Sequence, residues 1–454
     1  MRSRLALVVA LACTGGLLDT SSAVDLAVLT RGKALRLNGR RAPERWRGAL
    51  RVRNDPALMQ APSPACPARS TFELGLFTVA TNGVERNQAA TLDCTRWQRR
   101  GKRWTYVDPE RPGGIARIVY GRGDLTVKLV GPAVLPAAGP VGYAQVWLEV
   151  GGTRFHVRFH QFAANRADFI ASRTPSPIAA RGEAGFWAAL WGDATDESSE
   201  AEEIAALQKA ARRSKADGRS RFLLGMLHLY RFGRLTRQVT DASSAARAEL
   251  AAAVAALDEA EPLLWSRVTR TGDSRIPGFA AAARYALGVV DRDQTLLERG
   301  RNDLAYAIEI NAFFNVFDLM TVVQAEPPDS PAFLEAFRAM DAYLSNPQTL
   351  GCAVTQPEVC GNSGLAPTAL QGTFVLFGDF YAKAGDAAAA RQWYQLGAPF
   401  ESDWRFAGMY ADRLATVDAR VAAYADDDPT NDPPIVGSGA EACTSCHNRP
   451  PGAP

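Results

Sequence analysis

The spacing of apolar residues changes near residue 165. Before it, apolar and polar positions alternate: Leu125, Val127 and Leu129, then Val146, Leu148 and Val150, then Phe155, Val157 and Phe159 after Gly151-Gly152. A period of two puts successive side chains on opposite faces of a strand, and a Gly-Gly pair between such runs signals a hairpin. Several short strands broken by turn residues predict an all-β sandwich over residues 24–163. Phe155, Val157 and Phe159 then face its core, and His156 and His160 read as solvent-facing. The segment 164–184, with Ser172-Arg173-Thr174-Pro175-Ser176-Pro177, reads as a linker. From Gly185 to residue 425, long stretches rich in Ala, Leu and Arg carry helical periodicity and predict an all-α domain. The final segment, 426–454, opens with Asp426-Asp427-Asp428-Pro429-Thr430-Asn431-Asp432-Pro433-Pro434, which cannot continue a helix and reads as a solvated linker. It lacks the ligand spacing, central Gly and terminal Glu of an EF-hand loop.

Within the helical part, Phe374-Val375-Leu376-Phe377-Gly378-Asp379-Phe380-Tyr381 is followed by Gly385-Asp386, Ala390, Tyr394 and Ala398-Pro399. This run resembles a tetratricopeptide repeat, with Phe377 where Leu is usual. Weaker echoes are Leu224-Gly225 with Tyr230 and Gly233, and Ala305 to Asn311. The resemblance implies paired antiparallel helices whose stacked repeats leave a face for a protein partner. In the β part, Trp104-Thr105-Tyr106-Val107-Asp108-Pro109, Ile115 to Val119, Asp124 to Lys128 and Tyr143 to Val150 resemble a β-domain of exported deltaproteobacterial and myxobacterial proteins. That likeness bears on fold and habitat and implies no activity. The predicted fold class is therefore multidomain α and β: a β-sandwich, a tetratricopeptide-like helical domain and a short tail.

Export is also written at the start. Arg2 and Arg4 precede the apolar run Leu5 to Ala12, and Ser21-Ser22-Ala23 offers a cleavage site before Val24, so residues 1–23 read as a signal peptide. The alternative is cleavage before Cys13 and lipidation of that cysteine, which makes an envelope lipoprotein. No later segment is apolar for long enough to span a bilayer. Besides Cys13, six cysteines remain, suited to an oxidising compartment. Cys66 is expected to pair with Cys94, and Cys352 with Cys360.

The last two cysteines lie in Cys443-Thr444-Ser445-Cys446-His447, the C-x-x-C-H pattern of covalent haem attachment. Two thiols one helical turn apart can each bond a haem vinyl group, and the adjacent histidine can ligate the iron. The expected cofactor is one haem c, with Cys443 and Cys446 as anchors and His447 as axial ligand. A plain disulfide is the competing reading of the pair, and a zinc site would need a further ligand. Neither Met, His nor Lys occurs from Asn448 to Pro454, so a sixth ligand comes from elsewhere. His228 and Met409 are the helical-domain candidates.

Charge adds a second theme. Residues 24–163 hold 22 Lys and Arg against 10 Asp and Glu, while the whole chain carries a formal charge of only +3. Arg96-Trp97-Gln98-Arg99-Arg100-Gly101-Lys102-Arg103-Trp104 is the densest patch. It reads either as a site for an anionic envelope surface or as a solvated hairpin whose tryptophans turn inward. A third reading docks the basic β-domain on the chain's own acidic helices. Nucleic acid is not an expected partner for an exported chain. No G-x-S-x-G, H-E-x-x-H or phosphate-binding loop occurs, so no hydrolase is indicated. The sequence favours an exported monohaem c-type cytochrome-like electron carrier, periplasmic or envelope-bound, with a protein partner on its helices. The alternatives are a cell-envelope scaffold with a structural tail and, more weakly, a peroxidatic haem enzyme.

Overall fold

A computed structural model describes residues 25–447 except 41, 60–61, 65, 67–69, 79–84, 132–140, 160–161, 167, 173, 192–196, 237–238, 345–367, 427, 429–430 and 437–443. Residues 1–23, Cys13 among them, and Cys352, Cys360, Cys443 and His160 lie outside the described residues.

Two sheets form the N-terminal part. The first orders its strands β1 (Asp25–Val28), β11 (Thr153–Phe159), β10 (Val141–Val150), β4 (Ser70–Thr78) and β5 (Glu85–Leu92). The second runs β12 (Phe162–Arg166), β13 (Phe169–Ser172), β2 (Ala34–Asn38), β3 (Arg47–Val52), β9 (Asp124–Val130), β8 (Ile115–Gly121), β7 (Arg103–Tyr106) and β6 (Trp97–Arg100). Alternation decides what goes inside. Val146, Leu148, Phe155, Val157 and Phe159 from the first sheet meet Leu35, Leu50, Val127 and Leu129 from the second in one buried cluster. Cys66 and Cys94 are bonded, with Cα atoms 5.3 Å apart. Trp97 turns into this core and meets Tyr120 edge-on, while Gln98, Arg99 and Arg100 stay exposed, so the Arg96–Trp104 patch is a hairpin with an inward tryptophan.

The segment expected to be a linker is instead ordered at both ends. Phe169, Ile170 and Ala171 pair with β2 and extend the second sheet, and the Leu35 amide donates to Ser172 Oγ at 2.8 Å. Helix α1 (Pro177–Leu190) begins directly after it. The Pro-Ser-Pro run that suggested a linker is its start signal: the Ser176 side chain accepts from the Ala179 amide and Pro177 occupies the first turn.

The helical part continues with α2 (Glu197–Arg213), α3 (Gly218–Leu235), α4 (Ser244–Leu264), α5 (Ile276–Asp291) and α6 (Gln294–Ile310). Shorter α7 (Ala312–Asn315) and α8 (Met320–Ala325) and then α9 (Pro331–Leu344) follow. The last group is α10 (Ala369–Lys383), α11 (Ala387–Gly397), α12 (Met409–Ala425) and the single turn α13 (Thr444–His447). Close pairing rests on glycines at the crossings. A Cβ on Gly378 would stand 2.1 Å from a Tyr394 ring carbon, and one on Gly225 would stand 2.6 Å from Leu257. No helix among the described residues is long and apolar enough to cross a membrane.

The outer face of the five-stranded sheet is covered by these helices, which overturns the solvent-facing reading of His156. Its ring is fully buried and stacks on Trp147 at 3.7 Å, and Trp147 packs among Phe186, Trp187 and Trp191 of the α1 region. Strand alternation separates the two faces but is silent about a second layer against the outer one. A buried ion pair closes the junction: Lys33 Nζ lies 2.7 Å from Glu183 Oε2, and Arg219 Nη2 lies 3.2 Å from the other oxygen. Burial lowers the Lys33 pKa, against the attraction of Glu183. Glu183→Gln would strand two buried cations and is expected to cost about 3–5 kcal/mol of stability by urea titration. A change below about 0.5 kcal/mol would show that the pair does not hold the layers together.

Candidate functional site

Helix α10 is apolar almost throughout, yet Asp379 lies in its middle with no solvent exposure. A buried carboxylate is tolerated only when its lone pairs are filled. Oδ1 accepts from Tyr394 Oη at 2.8 Å on α11, and from Arg413 Nε at 3.0 Å and Arg420 Nη2 at 2.9 Å on α12. Oδ2 accepts from the Val436 amide at 2.8 Å. Burial first, and then the Asp379 carboxylate, push the Tyr394 hydroxyl pKa well above its ordinary range.

That last contact decides the course of the tail. Arg420 Nη2 also donates to the Pro434 carbonyl at 2.9 Å, and Tyr424 Oη donates to that of Pro433 at 2.6 Å. Ile435 and Val436 are buried with the helical core. The expected solvated linker therefore ends in a docked segment. Proline without an amide and an acidic run look solvated locally, but the carbonyls of Pro433 and Pro434 are good acceptors for side chains on α12.

Past Val436 the chain returns as α13, which lies against α10. The Thr368 amide donates to the Cys446 carbonyl at 3.2 Å, and the Cys446 sulfur is 4.0 Å from the Ala369 carbonyl oxygen. The His447 ring is 6.4 Å from Trp187, which in turn is 5.7 Å from Trp191. Cys446 and His447 are both partly exposed. Tyr410 on α12 is buried, donates to the Gln371 carbonyl at 2.6 Å, and has its pKa raised by burial and then by nearby Cys446. The turn with Cys446 and His447 thus lies against α10, with Trp187 of α1 beside the histidine ring.

A covalent haem needs thiols and an imidazole on a short turn reachable from solvent. The turn Thr444–His447 carries Cys446 and His447 at a partly exposed position, so these two donors are compatible with that group, while the second thiol, Cys443, lies outside the described residues. The proposed sixth ligands have other commitments. His228 is largely buried on α3, with Nδ1 2.6 Å from Glu249 Oε2, and Met409 starts α12 packed against the helical core. Sequence reasoning missed Trp187 and the Asp379 cluster. The available signals were Trp187 and Trp191 at helical spacing and one acid in the apolar run Phe374–Tyr381.

A second concentration of charge lies on α4–α6, at a shallow open cleft of about 530 Å³. Arg284 is buried there and pairs with Asp258, Glu261 and Asp303 at 2.6–2.8 Å, and Arg267 pairs with Glu261 and Asp303 at 2.7 Å. These ions compensate one another and tie three helices together. Among the described residues no three His, Cys, Asp or Glu converge to hold a metal ion. No known protein family, curated protein or solved structure matches this chain.

Asp379→Asn removes the charge facing two buried guanidinium groups, so it is expected to destabilise the chain by about 3–5 kcal/mol. Proteolysis between residues 426 and 443 should become faster in the variant at temperatures where it remains folded. Unchanged cleavage would mean that the carboxylate does not hold the tail. Lys383 supplies a pH test close by. Its ammonium is buried and donates to the Val323 and Gln324 carbonyls at 2.9 and 3.0 Å. Burial lowers its pKa from 10.5 to about 8, against the pull of Asp432 and Glu326. Between those values the unfolded chain holds the extra proton, so stability rises with pH, by up to about 3 kcal/mol. Ionisation of tyrosines in the unfolded chain reverses the trend above about pH 10. Melting temperature should climb from pH 7.5 to 9.5 in the native chain and climb less in Lys383→Met; parallel curves would contradict this.

Proposed function

We propose that this chain is an exported monohaem c-type cytochrome-like protein that exchanges electrons with a partner held by its helical domain. Cys443 and Cys446 would anchor the haem through thioether bonds, and His447 would be its axial ligand. The haem, when bound, supplies one-electron chemistry. The protein's part is to hold that group at a fixed place and to limit its contact with water. The observation that carries this reading is the docking of Cys446 and His447 between α1 and α10, with Trp187 beside the histidine ring. A tail used only as a spacer has no need of a seat.

The pairing α10–α11, with Gly378 beneath Tyr394, supports a tetratricopeptide-like reading of the helical part. On that reading the partner is a protein that meets the helical surface. Periplasmic or envelope residence, by either leader route, accompanies covalent haem attachment.

The test is expression with a cytochrome c maturation system, followed by denaturing electrophoresis and a haem stain. The native chain should retain haem through denaturation, and Cys443→Ser with Cys446→Ser should lose it. An unpigmented native band would overturn the proposal in favour of the scaffold reading. In the pigmented protein, His447→Ala should leave haem attached but shift its absorption bands.

A further inference from the structure

The eight-stranded sheet has a core face and an outward face. The helices cover the other sheet through Trp147, whereas Arg36, Arg51 and Lys128 on this outward face are exposed. Its cations are aligned by register. Arg36 stands opposite Ala49, Ala49 opposite Lys128, and Lys128 opposite Arg117, a single row across β2, β3, β9 and β8. Arg47 and Arg51 lie two residues to either side of Ala49 on the same strand face. All five side chains are exposed. With strands about 4.8 Å apart and about 3.3 Å per residue, they occupy a patch on the order of 14 Å by 13 Å.

The acids on this side serve other cations at the margins. Asp124 pairs with Arg103 at 2.6 Å, and Asp168 lies within 3.7 Å of Arg40 and Arg166. Among the described residues, none of the five central cations has an acidic partner. Arg36 leans over the Phe169 ring at 5.2 Å, and Arg47 donates to the neighbouring Trp46 carbonyl at 2.9 Å. Like charges at this density repel one another, so the arrangement favours an anionic counterpart.

We infer that this sheet face docks on an anionic phospholipid bilayer. The face is an open sheet surface, and the residues between the cations are Ala34, Ala49, Thr126, Val119 and Val130. A single-stranded polyanion is typically held in a groove with aromatic platforms for its bases, and a protein partner is usually anchored by buried aromatic hot spots. Among the described residues, the centre of this patch has no aromatic side chain. A lipid headgroup surface needs none, because its field acts on a set of cations through their charge alone. The inference is independent of the haem.

The full chain should sediment with phosphatidylglycerol vesicles and not with phosphatidylcholine vesicles, and 0.5 M salt should release it. Arg51→Gln, Arg117→Gln and Lys128→Gln together should weaken vesicle binding about 100-fold, near fivefold for each cation. Arg99→Gln, Arg100→Gln and Lys102→Gln in the β6–β7 hairpin should weaken it less than about tenfold. Arg36→Gln with Arg47→Gln, about 25-fold, serves if the triple variant melts early. Equal binding to both vesicles, equal loss in the two triple variants, or retention on heparin without vesicle binding would each overturn the inference.

Discussion

The Asp379 carboxylate is fully buried, and that constraint shapes the C-terminal half of the chain. Its negative charge is held by a tyrosine, two arginines and one backbone amide, drawn from α11, α12 and the tail. Removing any one of these donors leaves a buried group short of a partner, so the elements that supply them are tied to a common geometry. The amide is the instructive member. Because it belongs to Val436, a segment that looks like free linker is part of the solvation of a core charge. The Cys446-His447 turn lies only ten residues further along the chain.

Much of the architecture was legible in the sequence because it depends on local period. Leu125, Val127 and Leu129 announce a strand and name its buried side, and Gly378 and Tyr394 announce a helix pair. What was not legible concerns partners distant in the chain. His156 was correctly placed on the face opposite Phe155 and Val157, but no local pattern says that Trp147 and α1 would cover that face. The run around Pro175-Ser176-Pro177 looked like a break, and it is a break in the strand pattern, yet the same residues cap α1. At the site, Cys446 and His447 were visible as a motif. Trp187, more than 250 residues earlier in the chain, could not be joined to them from spacing.

The two outer faces of the β-domain differ in cover and charge. One is closed by helices, with a buried lysine–glutamate pair and a stacked histidine at the junction. The other presents cations in register and, among the described residues, has no counter-charge at its centre. A two-sheet sandwich can carry both because alternation gives each sheet its own outer set of side chains, free of core demands.

The central claim is that the tail is seated on the helical core by Asp379, so that the Cys446-His447 turn is a fixed part of the surface. Amide hydrogen exchange on the native chain tests it most directly. The Val436 amide, buried on Asp379, should exchange only as slowly as the interior of α10. Exchange at the rate of an unstructured peptide would contradict the account.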